Sequence, residues 1–463
     1  MAAVFACCVA ATLGGRPPAA QAADVTDLAS GFEPGDALDA RVSLDYRRAL
    51  YRGAIDREAV GRAAGQTAVQ RIKELRFSQT RHVLAPRLEI GVWRDLQLHL
   101  ELPIVVSDDR SLSFAQNGGA PCGDPRSTNC VTPENSSLVR DGFLDGGQMA
   151  PNQVAVGNAS GPAGGLVLPT RSGIDQIYLG IAWAPLNQRR DPTKPTWVTG
   201  FEARLAVGSP MEYDATTDPR ANTSVGRGLH ELRLHTSVSR RFRWIEPWFS
   251  AYYMVPIAAK DSLFAKTEFP RSGQQRATPQ QSAGGEIGAA VVAWERPAQH
   301  YAVTIEGSAA LQATFEGRGY SPMWEVFANS PRLARTCHPA PGGAGGLTPW
   351  DNGTYCATDT DLLPYPGITS IENHLGVTGT LAVRAQVTRW AQLRLGLALG
   401  HEQSHAITFA SVGRGSDPNQ EIQISDPFQV NPSFQPLIDT VGRRFRVSEV
   451  TTFDLSLGAV AMF

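Results

Sequence analysis

Apolar and polar residues alternate with a period of two along most of this chain. The stretch 445–463 is the longest example: Phe445, Val447, Glu449, Thr451, Phe453, Leu455, Leu457, Ala459, Ala461 and Phe463 take one set of alternate positions. Arg446, Ser448, Val450, Thr452, Asp454, Ser456 and Gly458 fall between them. Side chains alternate faces along a strand, so this is a β-strand whose two faces meet different surroundings. The pattern is sharpest in Leu96, Leu98, Leu100, Leu102, Ile104 and Val106, set against Gln97, His99 and Glu101. It recurs through Ala40–Tyr46, Leu84–Val92, Ile177–Trp183, Trp197–Val207, Leu232–Val238, Trp248–Val255, Ile287–Ala293, Tyr301–Phe315, Leu375–Val387 and Leu393–Leu399. The arm 51–80 is charged and weakly patterned, and reads as an extension of the first hairpin or a short helix.

These segments predict an all-β protein: a single closed antiparallel transmembrane β-barrel of about twelve strands. Connections alternate short and long, with Gly- and Pro-rich stretches at 107–173 and 316–371 among the long ones. The chain has 463 residues and a net charge of −2, which offers nothing to nucleic acid. No apolar run reaches the eighteen or so residues that a spanning helix needs, but a barrel dilutes its apolar residues by alternation. Met1–Ala23 carries an apolar stretch and the small-residue site Ala20-Gln21-Ala22, which reads as an export signal. The expected division is therefore 1–23 signal, 24–37 periplasmic linker and 38–463 barrel. Beyond the signal, Cys122, Cys130, Cys337 and Cys356 fall as two pairs in two long loops, and an even count in an exported chain predicts disulfides within each pair.

Tryptophan supplies an independent sign. Trp93, Trp183, Trp197, Trp244, Trp248, Trp294 and Trp390 sit beside short turns, while Trp324 and Trp350 sit in long loops. Seven rings at one level form an interfacial belt. On these features the chain resembles Gram-negative outer-membrane β-barrels as a class. The resemblance implies residence in the outer membrane, contact with its lipid, and handling by the barrel assembly machinery, with Phe463 as the terminal aromatic signal. Phrases such as Leu88-Glu89-Ile90-Gly91-Val92 and Leu100-Glu101-Leu102-Pro103-Ile104 are similar to those of channel-like barrels linked to uptake of small hydrophobic or aromatic compounds.

Alternation turns a set of ionic residues toward the lumen: Arg41, Asp45, Arg47, Arg87, Glu89, His99, Glu101, Glu202, Arg204, Glu231, Arg233, His235, Glu286, Glu306, Arg384, Arg394, Arg446 and Asp454. Their mixed signs fit a water-filled path for a small solute or a lumen filled by its own ion pairs. Passive transport leads, and a structural or surface-binding barrel with stapled loops is the alternative. An outer-membrane hydrolase is least favoured. His401-Glu402-Gln403-Ser404-His405 matches a zinc-protease pattern that works on a helix, where residues four apart share a face. Here it continues a strand, on which they stand about 13 Å apart at roughly 3.3 Å per residue. No zinc, no other cofactor and no enzymatic step is expected.

Overall fold

In a computed structural model, residues 23–31, 39–60, 68–115, 131–132, 136–143, 154–155, 165–212, 223–265, 278–330, 332–333, 335–336, 362–363, 365–413, 421–423, 429–431 and 433–463 are described. Among them twelve strands make one closed antiparallel sheet. These are β1 (Ala40–Val60), β2 (Val69–Trp93) and β3 (Leu96–Glu101, continued past Pro103 by Ile104–Phe114). They are followed by β4 (Gln176–Leu186), β5 (Thr196–Ala206), β6 (Leu229–Ser239), β7 (Ile245–Ala258) and β8 (Ser282–Arg296). The last four are β9 (Tyr301–Thr314), β10 (His374–Thr388), β11 (Ala391–Glu402) and β12 (Phe445–Met462). Each strand pairs with its sequence neighbour, and β12 closes on β1, from Arg41 opposite Met462 to Arg57 opposite Phe445. Ala40 and Phe463 exchange main-chain bonds of 3.2 and 2.8 Å across that seam. Closure satisfies the backbone without water and leaves no edge, which hydrocarbon requires.

The wall is apolar outside. Leu44, Leu98, Leu100, Phe201, Leu234, Ile287, Leu381, Leu397 and Leu457 are exposed on its outer surface, whereas Arg41, Gln97, His99, Glu202, Glu231 and Arg384 are buried within. Short turns gather at one end, three of them closed by residues in the left-handed region, Asp95 (φ 56°), Arg243 (φ 59°) and His300 (φ 55°). There Trp93, Trp183, Trp197, Trp244, Trp294 and Trp390 are all exposed. Trp248 differs from the expected belt: it is buried and turned inward. Its strand starts at Ile245, which puts Trp248 on the lumen face with Glu246, and Gly288 on the next strand leaves room for its ring. Trp350 lies outside the described residues.

The wall is uneven in height. Spanning a bilayer takes about 9–11 tilted residues, and β4, β5 and β6 have 11 each. By contrast β1 has 21, β2 has 25 and β12 has 18. The arm 51–80 thus continues the first hairpin well past the membrane, with no helix in its described part. Within this collar the outward face expected of Phe445 and Val447 is reversed: both are fully buried inside. A β-bulge is responsible. Glu449 (φ 53°) and Val450 together oppose Gly53, and the extra residue moves every later side chain to the other face. From Thr451 to Phe463 the sequence pattern and the wall agree.

Candidate functional site: a lumen closed at both ends

The lumen is a mesh of ion pairs. His99 Nε2 lies 3.0 Å from Glu202, whose carboxylate also meets Arg204 at 2.8 Å and Arg233 at 4.0 Å. Arg204 reaches Glu231 at 3.6 Å, and Arg227 holds both Glu231 and Asp175, at 2.8 and 2.7 Å. Arg87 contacts Glu89 at 2.8 Å and Glu101 at 3.5 Å. Between neighbouring strands Arg384 meets Glu306 at 3.5 Å, Glu286 accepts from Ser308 at 2.6 Å, and Asp454 pairs with Arg47 at 2.6 Å. Asp45 and Arg394 line one cavity, and His235 stands with His99 and Arg233 around another. Arg446 belongs elsewhere: it lies beyond the bulge, 3.3 Å from Glu372 and bonded to Ser404 O. Glycines opposite the larger rings mark how tightly the middle is packed. A Cβ on Gly180 or Gly200 would collide with His99 or His235.

Residues 23–31 do not form an external linker. They run into the short-turn mouth and cross it. Gly31 N bonds Trp93 O at the rim (3.1 Å), and Gly91 has no room for a Cβ because the main chain of Ser30 presses on it. Ala29 N donates to Gln97 (2.7 Å), while Leu28 packs on Ala182, Ala184 and Val198. Asp27 takes Arg41 and Arg189, both at 2.9 Å, and Asp24 takes Arg394 at 3.0 Å and Arg384 at 3.4 Å. Burial alone would raise the Asp27 carboxyl, but the Arg41 and Arg189 guanidiniums outweigh it and hold the pKa at about 2. Val25 packs with Trp248, and Ala23 N meets Glu246. Two cavities, of about 330 and 200 Å³, flank this strip.

At the other end the described residues pack into an apolar core. Ile55, Ile72, Leu75, Phe77, Leu112 and Phe114 from the tall strands meet Leu138, Phe143, Met323, Val326, Phe327, Ile407 and Ile438 from the long loops. Phe143, Phe327 and Phe445 stack edge to face, with centroids 5.3 to 6.2 Å apart. Arg57 threads this core, bonding Ser137 Oγ (2.9 Å) and Asp141 (2.7 Å) while its guanidinium lies against the rings of Phe143 and Phe445. Arg171 and Glu325 form a second buried pair at 2.5 Å beneath Trp324. Cys122, Cys130, Cys337 and Cys356 lie outside the described residues.

The protease-like pattern does not assemble. His401 is exposed on β11 opposite Val377, whereas His405 is buried past the strand end and stacked 3.7 Å from His374. Among the described residues no group of three His, Cys, Asp or Glu side chains converges on a common point. Sequence reasoning missed Asp24, Asp27, Gln97, Ser239 and Glu246, all of which act through the strip. Only the small-residue site just upstream of Ala23 hinted that this stretch had a defined start.

Ionic residues toward a central cavity, aliphatic ones outward, a closed seam and a ring of exposed tryptophans can coexist only where the outer solvent is lipid. The chain is a transmembrane β-barrel. No family model and no curated protein matches its sequence. Among solved structures it is similar to an outer-membrane channel from Pseudomonas putida F1, with 10% identity over 93% of this chain and 100% of that one and a TM-score of 0.37. A Pseudomonas aeruginosa FadL homologue shares 8% identity over 92% and 90% of the two chains, with a TM-score of 0.30. The monoaromatic hydrocarbon channel CymD shares 8% over 95% and 90%, also at 0.30. The assignment rests on the barrel wall itself, not on likenesses of this strength.

Proposed function

We propose that the barrel is a passive channel for a small solute, closed in the state seen here. The observation that carries this reading is the nature of the cover over the mouth near the short turns. Nine residues held by ion pairs and hydrogen bonds span it, and they are joined to the wall by one chain connection. Such a strip can leave without unfolding the wall, and its departure would join the 330 and 200 Å³ cavities to the periplasm. The larger cavity is at the lower end of the roughly 300–1,000 Å³ range of small-molecule sites. Its charges of both signs favour a solute with polar groups over a bare hydrocarbon. The reading invokes no enzymatic step.

One observation favours a second reading. The apolar core in the opposite mouth would have to part for a solute to pass, and a barrel filled in this way also suits a structural or surface-binding role. Conductance in planar bilayers separates the two. The channel reading expects brief low-conductance openings of the intact protein and sustained larger ones when residues 24–31 are deleted. Folded protein that conducts in neither form would leave the filled barrel standing.

A further inference from the structure

Glu246 is the second residue of β7, buried in the short-turn mouth with 4% of its surface exposed. Its Oε1 accepts from Ala23 N at 2.6 Å and from Ser239 Oγ at 2.7 Å. Among the described residues no Lys, Arg or His nitrogen pairs with it within 4 Å; the nearby cations are engaged elsewhere, Arg241 with Glu295 and Arg384 with Asp24 and Glu306. A buried carboxylate facing only neutral donors is expensive, and in this Glu246 differs from Glu202, Glu231 and Glu306 in the same lumen, each of which has a guanidinium. The group pressed against it is the main-chain nitrogen of Ala23, a residue buried to 0% exposure.

That nitrogen follows Ala20-Gln21-Ala22, the small-residue pattern after which signal segments are removed. While the Ala22–Ala23 bond is intact, the nitrogen is a neutral amide. Hydrolysis adds water across that bond: the Ala22 carbonyl carbon takes the hydroxyl and leaves as a carboxylate, and the Ala23 nitrogen takes up protons to become an α-ammonium. We propose that the mature chain begins at Ala23, one residue earlier than composition suggested, and that its α-ammonium is the missing cation of Glu246. Processing would then complete the ion pair that pins the strip across the mouth. Further contacts hold residue 23 in place: Thr26 N bonds Ala23 O at 2.9 Å, and Thr26 Oγ1 joins Ala23 O and Ser239 Oγ at 3.2 and 2.7 Å. The proposal holds for a filled barrel as much as for a channel, because its test reads amine chemistry and not conductance.

The test uses full-length protein exported to the outer membrane and purified in detergent. Intact mass gives the first residue, and brief acylation with acetic anhydride near pH 7 labels α-amines ahead of lysines, whose pKa is about 10.4 against about 7.7–8.0. Peptide mass spectrometry then reads the extent of labelling at residue 23. The expected result is a chain beginning at Ala23 whose amine is acylated at least about tenfold more slowly in the folded wild type than in the unfolded protein. Glu246→Gln, nearly isosteric, should restore most of the reactivity without loss of the barrel. A chain beginning elsewhere overturns the proposal, and so does a folded wild-type amine as reactive as the unfolded one. The folded-against-unfolded comparison stands even if the variant fails to insert.

Discussion

The two mouths of this barrel are closed by opposite kinds of physics. At the short-turn end the cover is a strip of nine residues, and charges hold it: Asp27 to Arg41 and Arg189, Asp24 to Arg384 and Arg394. At the long-loop end the cover is a dry core in which Phe143, Phe327 and Phe445 interlock. Apolar packing is non-directional, dense and indifferent to salt. Ion pairs are directional and dependent on pH, and the more exposed of them, such as Arg189 with Asp27, are also screened by salt. One end is therefore built to stay shut and the other to be released, and variants at the two ends should separate cleanly.

The largest effect is expected in the apolar cover. Phe327→Ala empties a fully buried ring position and should cost about 3–5 kcal/mol of local stability, the range for large-to-small core changes. Limited proteolysis should cut the long loops faster while β11 and β12 stay protected, and added salt should not change the rate. A variant as protease-resistant as the wild type would mean that the core contributes little to closure.

The charged cover should respond less and differently. Asp27→Asn removes the anion shared by Arg41 and Arg189 and should loosen the strip by about 1.5–3 kcal/mol, the range of bonds to charged groups. The Asp27 carboxyl has a folded pKa near 2, below its unfolded value, so its contribution is present above about pH 4 and is lost as pH falls toward 2. The protection factor of the Ala29 amide, taken against its intrinsic exchange rate at each pH, should fall over that window in the wild type and fall with salt at pH 7, and both dependences should be weaker in the variant, where the Asp24 pairs remain. Protection insensitive to both salt and acid in the wild type would erase the contrast between the two ends.

Much of the wall could be read from the chain because a period of two is a local property. Leu96 to Val106 and Leu393 to Leu399 carry their facing in consecutive residues, and short turns fix which strands are neighbours. What stayed hidden is set by distant partners. Glu449 breaks the phase of β12 through a bulge against Gly53, nearly four hundred residues earlier in the chain, so Phe445 and Val447 passed for lipid-facing residues. Trp248 passed for a belt residue because its strand begins three positions before the aromatic run. Residues 24–31 read as a linker since their charges meet cations on β1, β10 and β11 that no local pattern connects to them. The loop core was equally silent: Phe143, Phe327 and Ile438 come from three loops and meet only after the barrel has closed.

The barrel requires aliphatic side chains to face lipid while polar ones face the lumen, and adjacent residues of β11 test this directly. Leu397 is exposed on the outer wall, and Ala398, next in sequence, faces inward with Asp454 as its cross-strand partner. The measurement is the reversible denaturant unfolding free energy in phospholipid vesicles for Leu397→Arg and Ala398→Arg. The account predicts a loss of about 2–4 kcal/mol for Leu397→Arg, the range for a cation placed on a lipid face, and a loss under about 1 kcal/mol for Ala398→Arg, where the new guanidinium can meet Asp454. Equal losses, or a greater loss for Ala398→Arg, would contradict it.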